Sequence, residues 1–298
     1  RLEGLVTALM MTWDAERNFD AASFDKLIDY VLAGGIDALF VLSVAGEFPV
    51  LNMETRKRVM ERAYEKVEGR VPLIAGVVAE SAGMVLDNIE NYAVGKAEYA
   101  LTTPPGFRPM SQEQCYQFFH TIAANSPLPV IVYNGPYNRN YVESETIARL
   151  AEDPNIVGLK ETDTMSQLTK MYLAVENIND FTLLSGNEHA FFPALAIGLD
   201  AFIMGGPGNM FPGLCREILD RHRQGDEKTA TNRFLEMCRF MGEIYNLPCG
   251  ALPAVKGVLS ILNLCDKYMA LPTETVSEEQ LKFVRQAMAK SGLFEGSL

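Results

Sequence analysis

Histidine and tryptophan are almost missing from this chain, which has three of the first and one of the second. A metal-dependent lyase wants imidazole and carboxylate donors gathered at one place, and His120, His189 and His222 are far apart in the chain. Of the three, only His189 falls near the end of a strand-like run. Cysteine is sparse and dispersed: Cys115, Cys215, Cys238, Cys249 and Cys265 form an odd set without a CxxC pair. Neither a disulfide framework nor a zinc–thiolate cluster is expected from them, and a reducing compartment fits. Basic residues are in deficit, 26 against 38 acidic ones, for a net charge of -12. That balance disfavours a phosphate-backbone partner and supports solubility. No apolar run reaches the roughly 18 residues of a membrane span. The opening Arg1-Leu2-Glu3-Gly4 has neither the charged head nor the long apolar stretch of a signal peptide. The expectation is a soluble, cytoplasmic protein with no nucleic-acid or membrane partner.

What the chain does have is alternation. Hydrophobic residues make up 48% of its 298 positions and charged residues 21%, enough for a large core. Eight short apolar runs read as strands: 5–11, 36–43, 71–77, 99–103, 129–134, 156–161, 181–186 and 201–205. Several are almost continuously apolar, as parallel strands covered on both faces are. Helical patterns with recognisable starts lie between them. Asn52 is placed to cap one, and Ser111-Gln112-Glu113-Gln114 has the order of a capping box. Gly34-Gly35, Gly69 and Gly95 follow helical stretches, as C-terminal caps do. An open doubly wound sheet would carry a Gly-rich phosphate turn after its first strand. Here that turn reads Thr12-Trp13-Asp14-Ala15-Glu16. Eight strand–helix units in about 250 residues favour a closed (β/α)8 TIM barrel. After Gln224 three helical stretches follow without strands. The reading is a barrel over 1–224 and a helical extension over 225–298 packed on it.

Barrel chemistry sits at the C-terminal ends of strands, which directs attention to a few polar residues. Lys160 ends the run Ile156-Val157-Gly158-Leu159. Burial there would lower its pKa towards the neutral amine, the form that attacks a ketone. The structural alternative is an ion pair, with Glu161 at hand. Tyr133 ends the preceding strand in Val130-Ile131-Val132-Tyr133-Asn134-Gly135-Pro136, so the two side chains should stand together at the barrel mouth. A phenol there can shuttle protons, or simply fill the barrel top. In Ser43-Val44-Ala45-Gly46-Glu47-Phe48, Gly46 allows a tight turn whose successive N–H groups could hold a carboxylate. Gly205-Gly206-Pro207-Gly208-Asn209 reads as a tight turn beside the substrate, since no Lys or Arg accompanies it.

Together the segments SVAGE, TTPP, YNGP, GLKET, LLSGNE and LPAVK, in that order and spacing, resemble the dihydrodipicolinate synthase / N-acetylneuraminate lyase family of pyruvate-dependent class I aldolases. The resemblance spans essentially the whole chain. It implies a barrel with C-terminal helices, assembled as a homotetramer. It also implies a Schiff base at Lys160 with no other cofactor or metal, Tyr133 as proton relay, and the Val44–Ala45–Gly46 backbone as the seat of the keto acid's carboxylate.

Three places in the chain depart from the synthase pattern. Val44 and Ala45 stand where synthases carry hydroxyl residues, and Pro105-Gly106-Phe107 occupies the place of a second Tyr donated across a dimer. Asn138 replaces an Arg that holds the second substrate's carboxylate; Arg139, one step on, should point elsewhere. By contrast Thr162, Asn187 and Glu188 resemble positions where sugar-acid lyases bind substrate hydroxyls, although Thr162 and Asn187 could equally cap helices. The favoured expectation is an aldolase or dehydratase acting on a 2-keto-3-deoxy sugar acid. The alternatives are a synthase condensing pyruvate with aspartate semialdehyde, and a keto-acid-binding protein that kept the fold without the chemistry.

Overall fold

In the computed structural model, which describes residues 1–294, the eight apolar runs form strands. They are β1 (Gly4–Ala8), β2 (Ala38–Val41), β3 (Leu73–Gly76), β4 (Tyr99–Thr102), β5 (Val130–Asn134), β6 (Ile156–Glu161), β7 (Thr182–Ser185) and β8 (Ala201–Met204). They pair in sequence order into a closed barrel. Almost every strand residue is buried, as expected of strands covered on both faces. The chain is a (β/α)8 TIM barrel with added C-terminal helices.

The helices are α1 (Ala21–Ala33), α2 (Met53–Val67), α3 (Ala82–Asn88), α4 (Gln112–Asn125), α5 (Ser144–Leu150), α6 (Met165–Val175), α7 (Phe191–Ala196), α8 (Gly206–Met210), α9 (Pro212–Arg223), α10 (Glu227–Ile244), α11 (Ala251–Ile261) and α12 (Glu278–Ser291). Local chemistry starts them. Asn52 Oδ1 accepts from Thr55 N at 2.8 Å, and Ser111 and Gln114 form the reciprocal capping box ahead of α4. Segment 205–209, expected as a turn, is largely the short helix α8, because Asn209 is drawn inward. Its amide nitrogen bonds Ala8 O and Gly205 O, and its Oδ1 accepts from Met10 N at 3.0 Å.

The chain divides into two compact units. The first comprises Arg1–Val6, Asp37–Val41 and Gly69–Ile203, with helices α3 to α7 and a core that includes Phe191 against Phe202, ring centroids 4.8 Å apart. The second comprises Thr7–Ile36, Leu42–Glu68 and the chain from Met204 onward. In it α1 packs on α2 and α10 packs on α9, while Phe211, Phe240 and Phe294 cluster with centroids 5.1 to 6.0 Å apart.

One irregularity sets the functional geometry. The β5–β6 ladder begins with Val130 opposite Ile156, but Ile131 stands opposite Gly158, leaving Val157 without a partner. This one-residue bulge advances the rest of β6. As a result Tyr133 faces Lys160, and Asn134 faces Glu161. Were the ladder to continue without the bulge, Leu159 would stand opposite Tyr133.

Candidate active site

Alternation along β6 sends Lys160 and Glu161 to opposite faces. Lys160 is 6% exposed, with Nζ 3.9 Å from the centre of the Tyr133 ring and 5.3 Å from that of Phe40. Aromatic faces cannot replace the water an ammonium loses, so burial lowers the amine's pKa to about 7, partly opposed by the negative charge of Glu188. Near neutrality a large share of Lys160 is therefore the uncharged amine. Glu161 is not its partner. That carboxylate accepts from Asn134 Nδ2 at 3.0 Å, Tyr141 OH at 2.9 Å and Asp163 N at 2.8 Å. Burial nonetheless raises its pKa.

Gly186, just past β7, keeps the lysine's flank clear. A Cβ there would lie 2.3 Å from Thr162 Cγ2 and 2.8 Å from Lys160 Cε. Tyr133 is buried, and burial raises its phenol well above the usual pKa, with the neighbouring Tyr137 adding to the shift. The phenol is thus held in its protonated form. Its hydroxyl bonds that of Tyr137, which in turn lies 3.0 Å from Thr162 Oγ1. Thr162 Oγ1 is 2.9 Å from Asn134 O.

The other residues singled out in the sequence take varied places. Asn138 donates from Nδ2 to Tyr133 O at 3.0 Å, so its amide braces the strand end. Arg139 is exposed. Asn187 donates to Asp163 O at 2.9 Å and accepts from His189 N at 3.0 Å, capping the turn that begins at Glu188. Thr162 caps nothing, since Thr164 performs that task for α6.

The 43–48 loop belongs to the second unit and is tied down internally. Gly46 N donates to Ser43 Oγ at 3.0 Å, Glu47 N to Val44 O at 3.0 Å and Phe48 N to Ser43 O at 3.2 Å. Gly46 thus spends its N–H inside the turn. The Val44 and Ala45 N–H groups find no acceptor among the described residues. Glu47, in the left-handed conformation at φ 54°, turns its carboxylate inward. It accepts from Trp13 Nε1 at 3.0 Å and Ala270 N at 2.7 Å, with Lys256 Nζ 3.7 Å away and itself donating to Met11 O.

Sequence reasoning missed Tyr137 and the Glu47–Lys256 pair. The available signals were a second tyrosine four residues after the first, across a Gly-Pro turn, and a lone lysine inside the apolar LPAVKGVL run. Among the described residues no three His, Cys, Asp or Glu side chains converge as a metal site requires, and no helix is long and apolar enough to cross a membrane.

Comparisons with known proteins agree with one another. The family model described as the dihydrodipicolinate synthetase family matches residues 1–291. The 4-hydroxy-tetrahydrodipicolinate synthase of Neisseria meningitidis serogroup B is 30% identical over 298 residues, covering 98% of this chain and 99% of its own. The enzyme of the same name from Oceanobacillus iheyensis is 29% identical over 288 residues, covering 96% of each. Among solved structures, dihydrodipicolinate synthase from Thermotoga maritima superposes with a TM-score of 0.90 at 27% identity, covering 98% of this chain and 99% of that one.

Proposed function

The chain belongs to the dihydrodipicolinate synthase family of enzymes, and from that premise we propose that Lys160 forms an imine with the keto carbon of pyruvate or a pyruvate-like 2-keto acid. The observation that carries this reading is the buried Lys160 amine, its pKa lowered to about 7, held over the ring of its register partner Tyr133. The amine attacks the ketone, Tyr133 moves protons as water leaves, and the imine then serves as an electron sink for making or breaking a bond at the next carbon. The family resemblance gives the carboxylate to the Val44–Ala45–Gly46 loop, in which the Val44 and Ala45 N–H groups find no acceptor among the described residues. Nothing beyond the covalent imine is needed as a cofactor.

For the second substrate, the relatives favour condensation with aspartate semialdehyde over the sugar-acid expectation. The latter leaned on Asn187, whose amide is already engaged at both ends, and on Thr162, whose hydroxyl is bonded to Tyr137 and Asn134. One observation keeps a 2-keto-3-deoxy sugar acid as the second reading. Asn138 stands where the resemblance puts a carboxylate-holding Arg, and its amide is committed to Tyr133 O. Glu188, near enough to act on Lys160 electrostatically, remains a candidate hydroxyl acceptor. A cytoplasmic homotetramer, with the barrel through residue 224 and the extension beyond it, completes the proposal.

The test is reduction with borohydride in the presence of pyruvate, followed by peptide mass analysis. A pyruvyl adduct confined to Lys160, lost in K160M, is expected. An unmodified Lys160 would instead indicate a binder, or a substrate unlike pyruvate. Turnover of aspartate semialdehyde with pyruvate, set against cleavage of 2-keto-3-deoxy sugar acids, then separates the two readings.

A further inference from the structure

The sequence offers no tyrosine after TTP to join Tyr133, yet the structure gives it a phenolic partner from its own chain. Tyr133 OH bonds Tyr137 OH, Tyr137 OH lies 3.0 Å from Thr162 Oγ1, and Thr162 Oγ1 lies 2.9 Å from Asn134 O. Counting protons fixes the polarity of this chain. A carbonyl oxygen only accepts, so Thr162 donates to Asn134 O. Thr162 then accepts from Tyr137, and Tyr137, its one proton spent, accepts from Tyr133. At rest Tyr133 therefore turns lone pairs away from Tyr137. The two ends also differ in solvation, since Tyr133 is 3% exposed and Tyr137 is 61% exposed.

Resting on the imine reading above, we propose that Tyr137 is a positioning and relay residue, through which the buried hydroxyl of Tyr133 exchanges its proton with solvent within a single chain. Imine formation takes up one proton overall. The Lys160 lone pair forms the C–N bond and the carbonyl π pair moves to oxygen. That oxygen collects one proton from the amine nitrogen and one from Tyr133, and leaves as water. The nitrogen lone pair closes the C=N bond as an iminium. The Tyr137 hydroxyl, turned from Thr162 toward Tyr133, then returns a proton to Tyr133 and draws one from water. When a substrate hydroxyl must instead be deprotonated, Tyr133 takes that proton and passes its own to Tyr137, as the resting chain is oriented, and Tyr137 releases one to water. A phenol held above its usual pKa by burial needs such an outlet, because it cannot keep the charge.

Tyr137→Phe keeps the ring and deletes only the hydroxyl, at an exposed position where surface changes leave folding nearly unaltered. The single-turnover rate of imine formation with pyruvate, read by borohydride quench, should fall by about tenfold to a hundredfold, with half-saturation by pyruvate unchanged. Tyr133→Phe should fall further, and the Y133F/Y137F double variant should be no slower than Y133F alone, because groups acting in series do not compound. Gly135→Ala retains every hydroxyl but places a Cβ 2.1 Å from Thr162 Oγ1 and 3.3 Å from Tyr137 Cζ, and should reproduce the loss.

A Y137F rate within about fivefold of the unaltered protein overturns the proposal, as does a double variant slowed by the product of both losses. So does a change confined to half-saturation, which would mark Tyr137 as a substrate contact. If the unaltered protein forms no adduct, the imine reading and the relay fall together. If it forms one and the variants behave as in these contrary outcomes, only the relay falls.

Discussion

Lys160 shows what a single buried amine costs and what it makes possible. In the proposed imine chemistry only the neutral amine attacks, and its pKa stands at about 7. Imine formation with pyruvate should therefore rise about tenfold per pH unit below 7 and level off above it. A borohydride-quench series from pH 5.5 to 9 reads this. A flat profile would mean that another step limits the rate. The same depression carries a stability cost with a definite sign. Above about pH 10.5 the lysine is neutral both folded and unfolded, so there is no cost. As pH falls towards 7 the unfolded chain takes up a proton that the folded chain refuses, and below 7 the cost is constant. Lys160→Met should accordingly stabilise the protein by a few kcal/mol at pH 6.5, with the advantage shrinking towards pH 10. Urea titrations at the two pH values measure the difference. Gly186 is the complementary case. A methyl at that position collides with the Lys160 and Thr162 side chains, so Gly186→Ala should slow adduct formation by ~10-fold or more while leaving the protein folded. An adduct rate equal to that of the unaltered chain would show that the lysine can swing clear.

At the scale of elements, β6 displays the limits of pattern reading. Its bounds and the place of Lys160 were legible, because continuous burial produces an apolar run that a single lysine interrupts. The bulge was not. Val157 is one more apolar residue, and nothing in a run of such residues says which of them will go unpaired. Tyr137 was hidden for a related reason. Its direction depends on the turn from Gly135 to Asn138, not on any period in the sequence. Capping residues were legible since their partners lie three positions away. The joint between the 43–48 loop and α11 was not, because Glu47 and Lys256 meet across 209 positions, though each sits in a segment the family resemblance had singled out. Lys256→Met would leave the Glu47 carboxylate buried without its cation, and should cost about 3–5 kcal/mol. Adding Glu47→Gln should recover part of that loss. Chemical denaturation of the single and double variants checks the coupling, and equal midpoints for all of them would show that the pair contributes nothing.

At the scale of the whole molecule, the C-terminal helices were legible as an extension of the barrel, but their dependence on the N-terminal half was not. The segment from Met204 onward shares one compact unit with residues 7–36 and 42–68. A chain ended at residue 224 would lose α10 to α12, together with Lys256 and the Ala270 N–H that Glu47 binds. Such a fragment should retain helical circular dichroism yet bind a hydrophobic dye, digest readily and form no adduct. Resistance to protease at the level of the full chain would show that residues 1–224 fold independently.

The Glu47 carboxylate also sets a clock. During synthesis its loop leaves the ribosome long before Lys256 and Ala270 exist, and at ordinary translation speeds those 223 residues take roughly 10 to 45 seconds. Throughout that interval the loop lacks both its counter-ion and one of its hydrogen-bond donors. Local contacts in the first unit can form early, since Tyr133, Tyr137, Lys160 and Gly186 lie within 54 residues of one another. The proposed nucleophile Lys160 can thus be in place before Glu47 gains its last partners, which come only with residues 256 and 270.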